Sequence, residues 1–268
     1  MTQHSWNVRV WGVCGSAPAP FSDRLEYGGN TICISLEKAD HLLVLDAGTG
    51  LAGLGQALAE RKEGSRRVDL LLSHLHQDHL QGLFSFQPFY KEDWAIHLYG
   101  LPGFAKQLCT IFGPPFWPLS LDGMAVSVQF HELVPGQSCS IGNVTVRTAA
   151  GDHPGGSLLY RLEMDGKALV YALDCECTAQ ARDTLQRFAS GADLLIWDAT
   201  FAPEHLRPGW GHSTWAQGLE VGTAAGARRL LMTHFSTDYT DDFLHGQETA
   251  ACRRGNCVFA KEGMRLEV

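Results

Sequence analysis

No stretch of this 268-residue chain approaches the roughly 18 consecutive apolar residues needed to span a bilayer. The opening segment, Met1 to Pro20, carries Arg9 and no uninterrupted apolar core, so it does not have the form of a secretory signal. Positive charge is scarce too: 21 Lys and Arg face 29 Asp and Glu, for a net charge of −8. The basic pairs Arg66-Arg67, Arg228-Arg229 and Arg253-Arg254 are scattered, which disfavours nucleic acid such as tRNA as a partner. The eight cysteines, Cys175, Cys177, Cys252 and Cys257 among them, have neither zinc-knuckle spacing nor a secretory context. Reduced, mostly buried thiols without an assigned role are expected. No linker or biased segment divides the chain. The expectation is a soluble, cytoplasmic protein with no membrane partner, one domain over 1–268, for which a homodimer is compatible.

What is present is 45% hydrophobic residues, enough for a large core, arranged as strands alternating with helices. Strands are read at Val8–Trp11, Thr31–Leu36, His41–Leu45, Val68–Leu72, Ala95–Tyr99, Val126–Phe130 and Val144–Thr148. Leu158–Met164 and Ala168–Leu173 form a hairpin through Asp165-Gly166, and further strands cover Ala192–Trp197 and Arg229–Met232. Helices are read at Leu51–Glu63, Leu80–Phe86, Thr178–Ser190 and Trp215–Ala225, the last capped by Ser213 or Thr214, and a final helix and strand close the chain. The proline- and aromatic-rich segment 101–122 reads as a flap over the site or a packed surface segment, and packing is favoured because its aromatics need burial.

The strand Val68–Leu72 runs straight into Ser73-His74-Leu75-His76-Gln77-Asp78-His79. Three histidines and an aspartate within six positions, delivered at the end of a buried strand, would be costly to bury without a compensating cation. Neutral imidazole nitrogens and carboxylate oxygens suit a zinc-like divalent ion. Other buried strands end on Asp174, on Asp198 and beside His234, while His153 follows a fifth in a glycine-rich loop. The remaining histidines His4, His41, His97, His131, His205 and His245 read as surface or satisfied groups without partners.

In these residues the sequence resembles the metallo-β-lactamase superfamily, whose His-x-His-x-Asp-His hallmark is met by His74, His76, Asp78 and His79. Asp46, in an Asp-x-Gly turn, His153, Asp174 and His234 follow the family's order along almost the whole chain. The resemblance implies an α/β fold, a four-layer αβ/βα sandwich with the site at one edge of two facing sheets. It implies two divalent metal ions, zinc by donor chemistry with manganese or iron as alternatives. His74, His76 and His153 would hold one ion and Asp78, His79 and His234 the other, with Asp174 bridging both. Asp46, read as lacking an open strand-end geometry of its own, would orient a ligand histidine from behind.

Three details narrow the reaction. Position 76 is His, not the Glu of the di-iron branch, which favours hydrolysis. Gly211-His212-Ser213-Thr214 and Leu231-Met232-Thr233-His234-Phe235-Ser236 resemble the tail of the RNase Z and cyclic-phosphodiesterase branch. Only 34 residues follow His234, too few for a glyoxalase II-type helical domain. The resemblance makes His212 a phosphate contact or proton donor, with Asp198 orienting it and Asp78 counted among the catalytic groups. Plainer readings stand beside these: a helix-start histidine with a local hydrogen bond, and a buried aspartate capping a loop. Trp197 stands where the RNase Z motif His-Glu-Ala-Thr-Phe has its histidine, and no basic arm is inserted between His79 and His153. The expected activity is hydrolysis of a small cyclic or nucleotide-like phosphodiester. The alternatives are a carboxyl-ester, lactone or thioester hydrolase, a tRNA 3′-end endonuclease, and a non-enzymatic sensor that keeps the metals.

Overall fold

The computed structural model describes residues 5–268 apart from the side chain of Asp122; His4 lies outside the described residues. The first half of the chain builds β1 (Asn7–Gly12), β2 (Cys33–Lys38), β3 (His41–Leu45), helix α1 (Leu51–Ala59), β4 (Arg67–Leu71), β5 (Ala95–Gly100), α2 (Phe104–Ile111) and β6 (Ser127–Glu132). The second half adds β7 (Ser138–Ile141), β8 (Val144–Gly151), β9 (Ser157–Met164), β10 (Lys167–Ala172) and α3 (Ala179–Phe188). It continues through β11 (Leu194–Asp198), α4 (Trp215–Ala225), β12 (Leu230–Thr233), α5 (Asp241–Cys252) and β13 (Cys257–Phe259) to β14 (Arg265–Glu267).

Two seven-stranded sheets result, ordered β14-β1-β2-β3-β4-β5-β6 and β13-β12-β11-β10-β9-β8-β7. In each, one half is antiparallel and the other parallel: β3 through β6 run parallel in the first, β10 through β13 in the second. Parallel strands must be covered on both faces, and the sequence alternates accordingly. Leu43, Leu45 and Leu71 enter the core that continues into the second sheet, while Leu42, Val44, Val68, Leu70 and Leu72 pack outward with Leu51, Leu54 and Leu58 of α1. With α3, α4 and α5 on the far side, the architecture is the expected metallo-β-lactamase sandwich. No helix among the described residues is long and apolar enough to cross a membrane.

Two local expectations are corrected, the favoured packing of 101–122 holds, and some short elements are new. The helix read over Leu80–Phe86 is a chain of 3-10 turns, Gln81–Ser85 and Gln87–Tyr90. Leu80, Leu83, Phe86 and Phe89 are all buried, a spacing of three that matches 3-10 rather than α geometry. Helix α1 stops at Ala59 because nothing apolar follows it before Gly64 turns the chain with φ +110°. Segment 101–122 contains α2, obscured by the surrounding prolines, which buries Phe104 and Leu108. Phe84 stacks on Phe112 at 4.4 Å and lies 4.6 Å from the Trp117 ring, so this segment is packed. The short edge strand β7, whose outer face is polar, and the split of the chain end into β13 and β14 were not read from the pattern.

Candidate metal centre

The carboxyl ends of the parallel strands in both sheets point to one edge, where β4 delivers His74–His79, β10 Asp174, β11 Asp198 and β12 His234. His153 arrives just beyond β8. Six non-glycine residues among those described have left-handed backbone, and three of them belong to this edge: Asp46 (φ +57°), Asp174 (+50°) and His234 (+65°). Such a conformation costs about 1–3 kcal/mol and persists only where its surroundings enforce it. A fourth, Ser16 (φ +64°), presents its backbone N–H to Asp78 Oδ2 at 2.7 Å. The other two, Ala39 and Asp165, make hairpin turns.

The ligand atoms of His74, His76 and His153 lie within 4.8 Å of one another, and so do those of Asp78, His79 and His234. Asp174 stands between the trios. Its Oδ1 is 4.0 Å from His74 Nε2 and 3.8 Å from His153 Nε2, and its Oδ2 is 3.2 Å from His79 Nε2 and 3.3 Å from His234 Nε2.

The imidazole tautomers follow from what the other nitrogens touch. His79 Nδ1 donates to Asp46 Oδ2 (2.8 Å) and His153 Nδ1 to the Gly211 carbonyl (2.9 Å), since neither acceptor has a proton to give. Ser73 Oγ gives its proton to Asp46 Oδ2 and can only accept from His74 Nδ1 at 3.0 Å. Thr200 Oγ1 donates to the His234 carbonyl (2.9 Å) and accepts from His234 Nδ1 (2.9 Å). Four Nε2 lone pairs are thereby aimed inward. His76 differs, turning Nδ1 to within 3.1 Å of His153 Nε2. His74 Nε2 and Asp174 Oδ2 are buried without a hydrogen-bond partner. Buried lone pairs facing one another without a proton between them are the environment a cation satisfies.

The electrostatics agree. Burial, reinforced by His79, pushes His74 down to about 2. Burial opposes the ionisation of Asp78 and Asp174, but His79 and His234 more than offset it and hold both well below the usual carboxylate range. His79 is driven well above the usual histidine range against its own burial, by Asp174, Asp78 and Asp46. These carboxylates demand positive charge at the centre.

His212 sits at the rim. Its Nδ1 is 2.9 Å from Asp198 Oδ2 and 3.8 Å from Asp174 Oδ1, and its ring centroid is 5.1 Å from that of His153 and 5.3 Å from that of His234. Burial opposes its protonation, yet Asp198, with Asp174 and Asp78 beyond, pushes it up to about 9. The Asp198 carboxylate is fixed in turn by the Thr200 N–H at 2.9 Å.

Residues 41–235 match the family model described as the beta-lactamase superfamily domain. The chain belongs to this family. It is a metallo-β-lactamase superfamily hydrolase. An uncharacterized protein of Mycobacterium tuberculosis is 27% identical over 238 residues, covering 86% of this chain and 81% of the relative. A ribonuclease Z of Methanosarcina mazei is 25% identical over 299 residues, covering 89% and 92%. The metallo-β-lactamase fold protein YhfI from Bacillus subtilis superposes with a TM-score of 0.77 at 22% identity, covering 99% of this chain and 100% of that one.

At this metallo-β-lactamase edge a cavity of about 320 Å³ is lined by Ser16, His76, Asp78, Asp174, Trp210 and His212, and Phe201, 6.0 Å from the His212 ring, lines a second cavity of about 420 Å³. The structure brings all nine sequence-predicted site residues together and adds groups that sequence reasoning missed. Thr200 lies inside the Asp198-Ala199-Thr200-Phe201 match and was findable there. The Ser16 N–H and Gly211 carbonyl act through the main chain, which leaves no side-chain signature. Tyr171, whose hydroxyl donates to Asp46 Oδ2 at 2.7 Å, reads in sequence as an ordinary strand aromatic. Asp46 stands directly after β3, buried, with Ser73 N (2.7 Å), Ser73 Oγ (2.8 Å), His79 and Tyr171 all on its carboxylate. Nor are the outlying histidines all without partners: His41 faces Asp69 (3.6 Å), His97 pairs with His131 (3.0 Å) and His205 with the Tyr239 hydroxyl (2.9 Å). Of the cysteines, Cys14, Cys33, Cys175 and Cys177 are buried while Cys109 and Cys252 are exposed.

Proposed function

We propose that this protein is a dinuclear metal-dependent phosphodiesterase acting on a small cyclic or nucleotide-like phosphodiester, with residues 1–268 working as one domain. The observation that carries the reading is Asp174, each of whose oxygens faces a separate trio of donors while His74 Nε2 and Asp174 Oδ2 stay buried and unpartnered. His74, His76 and His153 would hold one divalent ion, and Asp78, His79 and His234 the other, with Asp174 shared. Imidazole and carboxylate donors suit zinc, with manganese or iron as alternatives. When bound, such a pair supplies Lewis acidity and a water activated at neutral pH.

The protein's own groups do the rest. Asp46, Ser73, Thr200 and the Gly211 carbonyl hold the ligand histidines in the tautomer that leaves a lone pair inward. His212 stands at the mouth of the cavity with Nδ1 tied to Asp198, which leaves Nε2–H of the protonated ring free to donate to a departing oxygen. A phosphodiester needs that donor because its leaving alkoxide is a strong base. The relative named ribonuclease Z supports phosphodiester chemistry. It also keeps a tRNA-processing reading open, against which stand the net charge of −8 and the use of Trp197 as a buried prop, its Nε1 donating to the Thr214 carbonyl at 3.0 Å.

Hydrolysis of bis(p-nitrophenyl) phosphate with added zinc or manganese tests the proposal. His212→Ala or Asp198→Asn should lower kcat by about 10²–10⁴-fold with both metals still present by elemental analysis. Turnover confined to lactones or thioesters would overturn the phosphodiesterase reading, and cleavage of a tRNA precursor in preference to cyclic nucleotides would favour the second.

A further inference from the structure

The cavity of about 420 Å³ beside the metal centre has no part in the chemistry above, and its volume lies in the range of small-molecule sites. No residue lines both cavities, but their linings touch at two places. Phe201 lines the larger one and meets the His212 ring edge-on at 6.0 Å, and the Arg207 guanidinium lies over Trp210 of the smaller one at 4.7 Å. Opposite, His205 stacks on Phe243 at 5.5 Å with the planes 12° apart, and Phe243 lies 4.4 Å from Tyr239. The Tyr239 hydroxyl accepts the Ala202 N–H at 3.1 Å and lies 2.9 Å from His205 Nδ1, to which it can give its own proton. His205 is then left with Nε2–H as an uncommitted donor. Ser236 and Asp238 supply acceptors on the same lining. An aromatic wall with donors and acceptors at its edges is suited to a planar heterocycle.

Charge points the same way. Arg207 is the one lysine or arginine among the residues lining either cavity, and its guanidinium makes no ion pair or hydrogen bond among the described residues. In a chain of net charge −8, a guanidinium that stacks on Trp210 of one lining and Phe201 of the other and has no carboxylate partner is placed to meet an anion that spans both.

We propose that the pocket formed by Phe201, His205, Arg207, Tyr239 and Phe243 is a nucleobase subsite, and that the substrate is a nucleoside phosphodiester whose phosphate flank contacts Arg207. This rests on the phosphodiesterase reading and narrows it to a substrate class.

The test uses the metal-loaded protein and three probes: adenosine 3′,5′-cyclic phosphate, glycerol 1,2-cyclic phosphate as a diester without a base, and adenosine as a base without a phosphate. Wild type should prefer the adenosine diester by kcat/KM, and Phe243→Ala should cut that preference about tenfold or more, the range of one lost base stack. Exposed Arg207→Gln, which leaves the core untouched, should raise KM for both diesters. Adenosine should bind wild type in calorimetry and fail to bind Phe243→Ala. An unchanged preference in Phe243→Ala, or no adenosine binding by wild type, overturns the subsite. Adenosine binding that Phe243→Ala abolishes, in a protein that cleaves no phosphodiester, upholds the pocket and overturns the activity on which it was built.

Discussion

Asp46 and Asp174 are both fully buried carboxylates at strand ends, yet they act at different removes from the centre. Asp174 faces both donor trios, so Asp174→Ala should remove both ions and the activity together; two ions retained in stoichiometric amount by elemental analysis would rule out a shared ligand. Asp46 acts through the His79 Nδ1–H. Asp46→Asn keeps the shape and one acceptor oxygen, and should weaken metal affinity about 10–100-fold, the usual effect of losing an outer hydrogen-bond partner. A chelator-competition titration measures it, and an affinity equal to wild type would reduce Asp46 to packing. Residues of this kind were legible in sequence to unequal degrees. The His74–His79 run is dense enough to declare itself, because no packing requirement concentrates so many titratable groups. His153, Asp174 and His234 stand alone locally and became legible only as an ordered series at strand ends. Thr200, Ser73 and Tyr171 have many ordinary uses, and composition could not single them out.

At the scale of elements, the turn 209–212 carries more of the site than its length suggests. Glu176, just past β10, accepts from the Gly209 and Gly211 N–H groups at 2.7 and 3.1 Å, and Gly211 in turn supplies the carbonyl that orients His153. Both glycines have left-handed backbone, φ +81° and +77°, but their surroundings differ. A Cβ on Gly211 would lie 2.4 Å from His153 Nδ1, whereas one on Gly209 would meet nothing within 4 Å. Gly209→Ala should therefore cost only backbone strain, about 1–2 kcal/mol by chemical denaturation, with the metal content unchanged. Gly211→Ala should in addition strip the ion proposed for His74, His76 and His153. Equal metal content in the two variants would show that the turn does not position His153. The sequence marked this stretch through Gly211-His212-Ser213-Thr214, and α4 indeed begins with Thr214 as its cap, Gln217 returning the bond. What pattern reading missed is the 3-10 run behind the histidines, where burial repeats every third residue and mimics a short α-helix.

Across the whole molecule, a second buried acid lies in the first sheet, apart from the metal-binding set. Asp69 on β4 is fully buried and meets Arg67 at 2.9 and 2.7 Å, the Tyr99 hydroxyl at 3.0 Å and His41 at 3.6 Å. Burial alone would raise its pKa, but His41, Arg67 and Tyr99 bring it to about 2. The folded value lies below the unfolded one of about 3.9, so this group stabilises the protein fully above pH ~4 and loses its effect as pH falls toward 2. The shift corresponds to at most about 2.5 kcal/mol, reduced by the exposure of Arg67. Urea midpoints measured from pH 6 down to 2.5 should fall less steeply for Asp69→Asn than for wild type, and parallel curves would refute the assignment.

The return of β14 to pair with β1, after the chain has built the whole second sheet, couples the two halves in time as well as space. A nascent chain still threaded through the ribosome can pair β2 with β3 by local contacts, but β1 keeps an open edge until residues near 267 emerge. The proposed metal ligands run from His74 to His234 and so draw on both halves, which puts metal uptake late in maturation, and an incomplete product would present a bare strand to its neighbours on the polysome.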